Sequence, residues 1–234
     1  MRTGIWVFFI FLIFGCENSS HVEKDEATAM SLAESDTTLR QEITKRKVIL
    51  FFGNSLTAGY GVDPEDAFTS IIQNKLDSLS YPYEVINAGV SGETTASGNS
   101  RLDWVLKQQD IDVFVLELGA NDGLRGIPTK ETRSNLTEMI DKVRKAEPGV
   151  KILLTGMMVP PNMGDSYGQS FAQIFSEVAN NKEINLMPFL LKDVAGEPQF
   201  NIEDGIHPNE KGHKIIAENL WSHLEGLLIS SKQN

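Results

Sequence analysis

Four short segments of this chain bring a reactive or polar side chain together with glycine or proline. The first is Gly53-Asn54-Ser55-Leu56-Thr57. Glycine permits a sharp turn, and a serine on such a turn exposes its hydroxyl. Its own N–H then lies near a helix start, where negative charge is favoured. A serine in this place also serves as an ordinary helix N-cap. The second segment is Asn87-Ala88-Gly89-Val90-Ser91-Gly92-Glu93-Thr94-Thr95, in which the Gly89 N–H can approach a ligand because no Cβ intervenes. Simple turn chemistry explains it equally well. The third is Gly119-Ala120-Asn121-Asp122-Gly123. The Asn121 amide is a neutral donor suited to a developing oxyanion, unless Asn-Asp-Gly only closes a loop. The fourth is Asp204-Gly205-Ile206-His207-Pro208-Asn209. Its spacing can fold Asp204 back onto Nδ1 of His207 and leave Nε2 free to act as a base. The alternative is a helix-capping Asp204 beside an incidental histidine.

The other histidines fit less well. His21 lies in a polar stretch, and His213 and His223 fall on the last helix or its first turn, where solvent exposure is expected. A metal held by Asp204 and His207 would lack a third histidine or cysteine ligand, so no metal site is expected.

The elements that must carry these segments alternate. Val48–Phe52 is a short, wholly apolar run, as for a strand buried on both faces. Tyr83–Ile86, Val113–Leu118, Lys151–Met157 and the weaker Ile184–Pro188 read as further strands. Helical spacing appears at Phe68, Ile71, Ile72, Leu76 and Leu79, then around Leu102, Val105 and Leu106. It returns at Leu136, Met139, Ile140 and Val143, at Phe171, Ile174, Phe175 and Val178, and from Ile215 to Leu227. Strands alternating with helices imply a parallel sheet covered on both faces, whose ligands bind at the carboxyl ends of the strands. All four segments lie at or near such ends. A hydroxyl nucleophile, oxyanion donors and an Asp-x-x-His dyad at one sheet edge are what acyl transfer requires.

Taken in order, the four segments resemble the SGNH (GDSL-type) hydrolase family, named for its serine, glycine, asparagine and histidine. The likeness runs from about Lys47 to the end of the chain. It is most specific at Gly-Ala-Asn121-Asp and Asp204-Gly-Ile-His-Pro-Asn, and around Ser55 and Gly89 it is similar to the arylesterase and thioesterase/lysophospholipase branch. The resemblance implies a three-layer α/β/α flavodoxin-like sandwich with five parallel strands ordered 2-1-3-4-5. It implies Ser55 as nucleophile, Asp204 and His207 as the rest of a triad, and an oxyanion hole made by Ser55, Gly89 and Asn121. It implies a carboxylic ester hydrolase acting through an acyl-enzyme, without metal or cofactor. Substrates would be short- to medium-chain acyl or aryl esters, with lysophospholipids and acyl thioesters in range. Alternative readings are a carbohydrate O-deacetylase of the same family and a non-catalytic glycan- or lipid-binding lipoprotein. The family usually has aspartate before the nucleophile; this chain has Asn54. Leu124, Met157, Met158, Val159, Pro160, Pro161 and Met163 follow strands and are candidates for an apolar acyl pocket or for ordinary loop packing.

The bulk numbers bound the partners. A chain of 234 residues suits one domain plus a tail, and a net charge of −11 disfavours nucleic acid and anionic lipid headgroups. Nothing calls for an obligate protein partner. Near the start, Arg2 precedes an apolar run from Ile5 to Phe14, followed by Gly15 and Cys16. The run is too short to span a bilayer but has the size of a secretory h-region. With a small residue before the cysteine, it resembles the lipobox of bacterial lipoproteins. The expectation is therefore a signal over residues 1–16 with lipid on Cys16, a flexible acidic tether over 17–45, and the hydrolase domain over 46–234. Such a protein would be exported and held in the cell envelope by its lipid.

Overall fold

The computed structural model describes residues 46–229. The expected signal over 1–16, the expected lipidation at Cys16 and the expected tether over 17–45 lie outside the described residues. Five strands, β1 Lys47–Gly53, β2 Tyr83–Gly89, β3 Val113–Glu117, β4 Lys151–Thr155 and β5 Asn185–Met187, form one parallel sheet ordered 2-1-3-4-5. Seven α-helices connect and follow them: α1 Ser55–Ala58, α2 Phe68–Ser78, α3 Thr95–Val105, α4 Ala120–Leu124, α5 Thr129–Ala146, α6 Asp165–Lys182 and α7 Glu210–Ile229. Helices cover both sides of the sheet. α2 packs on α7, while α3 packs on α5 and α5 on α6.

The apolar runs become the central strands for the reason that the sequence suggests. Leu50, Phe51 and Phe52 of β1, Phe114 and Leu116 of β3, and Leu153 and Leu154 of β4 are completely buried. Each such side chain contributes roughly 1.5–3 kcal/mol by leaving water. The edge strand β2 is only partly covered, and Gln73 of α2 shields it. The Gln73 side chain accepts from the Val85 N–H at 2.7 Å and donates to the Tyr83 carbonyl at 3.3 Å, imitating a neighbouring strand.

Several readings differ from expectation, among them the end of β4, which stops at Thr155 rather than Met157. β2 extends to Gly89 rather than ending near Ile86, because its pairing with β1 continues through Gly53–Gly89. His213 is not exposed; it has no accessible surface, accepts from the Phe68 N–H through Nδ1 at 3.2 Å, and stacks on the Phe68 ring. The α2–α7 contact buries the first turn of the last helix, which helical spacing alone does not show. His223 is exposed as expected.

Register is what places the chemistry. Gly53 is level with both Gly89 and Glu117, so β1, β2 and β3 release their following loops at one height.

Candidate active site

The turn after β1 is built by Asn54. Its side-chain oxygen accepts from the Leu56 N–H at 2.9 Å and so caps the one-turn helix α1, which closes at Gly59 in the left-handed region (φ 76°). Ser55 opens this helix. Among the described residues its N–H has no acceptor, as expected of a first-turn amide. Its Oγ lies 2.9 Å from Nε2 of His207.

His207 and Asp204 sit on a narrow hairpin. The Ile202 N–H donates to the His207 carbonyl at 2.8 Å, Asn201 bridges to Pro208, and Gly205 takes a positive φ of 70° at the tip. Asn209 ties the hairpin to α7: its Nδ2 donates to the Gln199 and Asn201 carbonyls, and its Oδ1 caps the Lys211 and Gly212 N–H groups. Inside the hairpin, Asp204 Oδ1 accepts the Ile206 and His207 N–H groups at 2.9 Å each, while Oδ2 lies 2.6 Å from Nδ1 of His207. Partial burial pushes the Asp204 carboxyl up, but the His207 backbone and ring and the Ile206 N–H outweigh it and hold the group down to about 2. An ionised Asp204 requires the proton on Nδ1, so the lone pair of Nε2 faces the serine. The exposed Tyr60 ring packs over the imidazole with centroids 4.7 Å apart, a neighbour that no periodicity in the sequence announces.

The loop after β2 departs from expectation. The Gly89 N–H does not face open space; it donates to Asn87 Oδ1 at 2.9 Å. A Cβ on Gly89 would come within 2.3 Å of the Ala58 N, so this glycine is needed for close approach of β2 to α1. Gly92, three residues on, differs in each respect. It has a φ of 80°, its absent Cβ faces open space, and its N–H has no acceptor among the described residues. The Asn121 amide donates to the adjoining Glu93 carbonyl at 3.0 Å, which leaves it a second N–H and holds it beside Gly92. The sequence signal for Gly92 was its place after Ser91 in the same segment, where a second glycine is easily passed over.

This loop is clamped from behind. Glu93 and Arg101 form a two-pronged ion pair, 2.6 Å on each arm, and Arg101 also donates to the Ala88 carbonyl at 2.7 Å while stacking 3.9 Å above the Phe52 ring. Asp122, buried beneath Asn121, accepts from the Thr95 N–H at 2.9 Å and from its hydroxyl. Neither clamp was read from the sequence. A carboxylate within a glycine- and serine-rich segment, followed by an arginine eight residues later, was the available signal. Among the described residues no group of three histidine, cysteine, aspartate or glutamate side chains is gathered as metal ligands.

The segments following β3 and β4 divide by role. Met157 is core, whereas Leu124 and Met158 are exposed. Met163 lines an open groove of about 660 Å³ together with Gly126, Pro128 and Tyr167.

Residues 51–215 match the model of the GDSL-like lipase/acylhydrolase family. The chain belongs to this family. The arylesterase of Vibrio mimicus is 38% identical over 170 residues, 73% of this chain and 84% of that protein. The Escherichia coli (strain K12) protein named thioesterase 1/protease 1/lysophospholipase L1 is 34% identical over 180 residues, 77% of this chain and 84% of its own length. Among solved structures, the psychrotrophic esterase EstA from Pseudoalteromonas sp., inhibited by monoethylphosphonate, superposes with a TM-score of 0.74. It is 34% identical and is matched over 78% of this chain and 98% of its own. This GDSL-family protein is accordingly a carboxylic ester hydrolase with the three-layer α/β/α fold.

Proposed function

We propose that this GDSL-family hydrolase works by a Ser55-His207-Asp204 triad through an acyl-enzyme. The observation that carries the reading is the unbroken chain from Ser55 Oγ to His207 Nε2 and from Nδ1 to Asp204. His207 takes the hydroxyl proton as Oγ bonds to the ester carbonyl carbon, and then delivers it to the leaving alkoxide as the carbon–oxygen bond breaks. Water repeats the cycle and returns the acid and free Ser55. For the oxyanion we assign the Ser55 N–H, the Gly92 N–H and the free arm of the Asn121 amide. Gly92 takes the place expected of Gly89, because the Gly89 N–H is held by Asn87.

The substrates proposed are short- to medium-chain acyl and aryl esters, with lysophospholipids and acyl thioesters in range. The names of the arylesterase and thioesterase/lysophospholipase relatives support this choice. Export with lipid on Cys16 is part of the same proposal and rests on the apolar run ending at Gly15-Cys16.

A fluorophosphonate probe tests the triad directly. It should label Ser55 in the wild type and fail on Ser55→Ala. A folded wild type that never labels would instead favour a non-catalytic binder. Rates on a chain-length series of nitrophenyl esters against acetylated sugars separate the esterase from the carbohydrate O-deacetylase reading.

A further inference from the structure

Glu117 ends β3 and is the one charged side chain in Val113–Glu117. It is completely buried, and among the described residues every donor that reaches its carboxyl group comes from the nucleophile turn. Asn54 Nδ2 donates to Oε1 at 2.7 Å. The Asn54 N–H, the Thr57 N–H and the Thr57 hydroxyl reach Oε2 at 3.1, 3.3 and 2.8 Å. Among the described residues no cationic side chain forms an ion pair with it. A buried carboxylate without a counter-ion persists only where several donors satisfy it. Gly53 makes the room, since a Cβ there would stand 2.5 Å from Glu117 Oε2 and 2.1 Å from Thr57 Oγ1.

Asn54 is fixed in polarity at both ends. Its NH₂ faces the carboxylate, and its oxygen faces the Leu56 N–H and lies 3.4 Å from Ser55 Oγ. We infer that Glu117 is a positioning residue for the Ser55 hydroxyl, acting through Asn54, and that position 54 carries an amide because the turn needs a donor toward Glu117 and an acceptor toward Leu56 at once. This rests on Ser55 being the nucleophile. An aspartate in place of Asn54 could supply the acceptor but no donor, so the resulting pair of carboxyl groups would have to hold a proton.

The carboxyl is also poised to change state. Burial pushes Glu117 up to about 7, with the Thr57 and Asn54 donors restraining the rise. Protonated, it must itself donate, and of its four partners only the Thr57 hydroxyl can accept. The charged groups on the surrounding elements are already engaged: Arg101 with Glu93, Asp122 with Thr95, and His207 with Asp204.

Ester turnover measured across pH on the full chain, for Glu117→Gln, Asn54→Asp and the double variant, tests the inference. Glu117→Gln sets an NH₂ against the donors of the turn, so kcat should fall ~10–10²-fold with KM little changed, the cost of a misplaced nucleophile. Asn54→Asp should stay active while the pair keeps its proton and should lose activity on the alkaline side, where the wild type does not. In the double variant the carboxylate now sits on the turn and the amide on β3. The carboxylate accepts from that amide with one oxygen and caps Leu56 with the other, so donor and acceptor have exchanged places. The double variant should recover to within about threefold of wild type, a coupling the double-mutant cycle reads directly, and should lose the alkaline limb. Wild-type kcat and pH profile in Glu117→Gln would overturn the inference. So would a double variant no better than Glu117→Gln, including the case in which Glu117→Gln fails to fold and the double variant does not rescue it. Fluorophosphonate labelling of the wild type separates the two levels: no labelling sinks the nucleophile itself, whereas labelling without recovery sinks only the role of Glu117.

Discussion

Asn121 has one amide hydrogen engaged by the Glu93 carbonyl and one remaining. If that hydrogen meets the oxyanion, it acts mainly in the transition state. Asn121→Ala should therefore lower kcat by ~10²–10³, roughly 2.7–4 kcal/mol, with KM and melting temperature nearly unchanged. Steady-state kinetics beside a thermal melt checks this, and an equal fall in stability would make the residue structural instead. Asp204 predicts a different signature. Its carboxyl is held at about 2, so it stays ionised through any ordinary assay range and contributes no acid limb to activity there. Asp204→Asn keeps the shape but frees the tautomer of His207, and turnover should drop by ~10⁴.

The glycines decide matters at the scale of elements. Gly89 and Gly92 stand in one segment but do different things: one lets β2 approach α1, and the other turns a loop at positive φ with its N–H unengaged among the described residues. Gly89→Ala should drive a methyl into the Ala58 backbone and destabilise the fold by about 1–3 kcal/mol, read as a lower midpoint in urea. An alanine keeps its N–H, so an unchanged midpoint would remove the packing role given to Gly89. The order and type of the elements were legible because β1, β3 and β4 are built on the apolar runs Val48–Phe52, Val113–Leu116 and Ile152–Leu154 and the helices keep their spacing. The ends were not. β2 runs on to Gly89 through pairing with β1, and the short helices α1 and α4 are too brief for any periodicity.

Two buried ionisable groups shape the stability of the whole molecule against pH, with opposite sign. Burial lowers His213 from 6.5 to about 4, the Asp66 charge opposing and the His207 charge adding. The unfolded chain then binds the extra proton first, and stability is lost as pH falls from about 6.5 to about 4. Glu117 is raised from 4.5 to about 7, so the folded state binds the extra proton, and stability is lost as pH rises through that window. The two slopes oppose each other over nearly the same range, and the wild-type profile should be shallow there. His213→Gln, which can still accept from the Phe68 N–H, should expose the Glu117 slope. Urea midpoints for this variant should be higher at about pH 5 than at about pH 7, and the reverse order would contradict the assignment. At the same scale, incorporation of a labelled fatty acid by the intact chain, lost in Cys16→Ala, tests the proposed anchor.

The sequence by itself determined the alternation of strand and helix and the family, and it singled out Ser55, Asn121, Asp204 and His207 as candidates, because apolar runs and short polar signatures are local properties of the chain. Tertiary structure decided what lies between distant segments. It put Glu117 beneath a turn 60 residues earlier, joined by the Thr57 hydrogen bonds. It gave the free N–H to Gly92 rather than Gly89, and it buried His213. Register sets Glu117 level with Gly53, Asn87 on the same strand takes the Gly89 N–H, and the packing of α2 on α7 covers His213; none of these is read from apolar spacing along the chain.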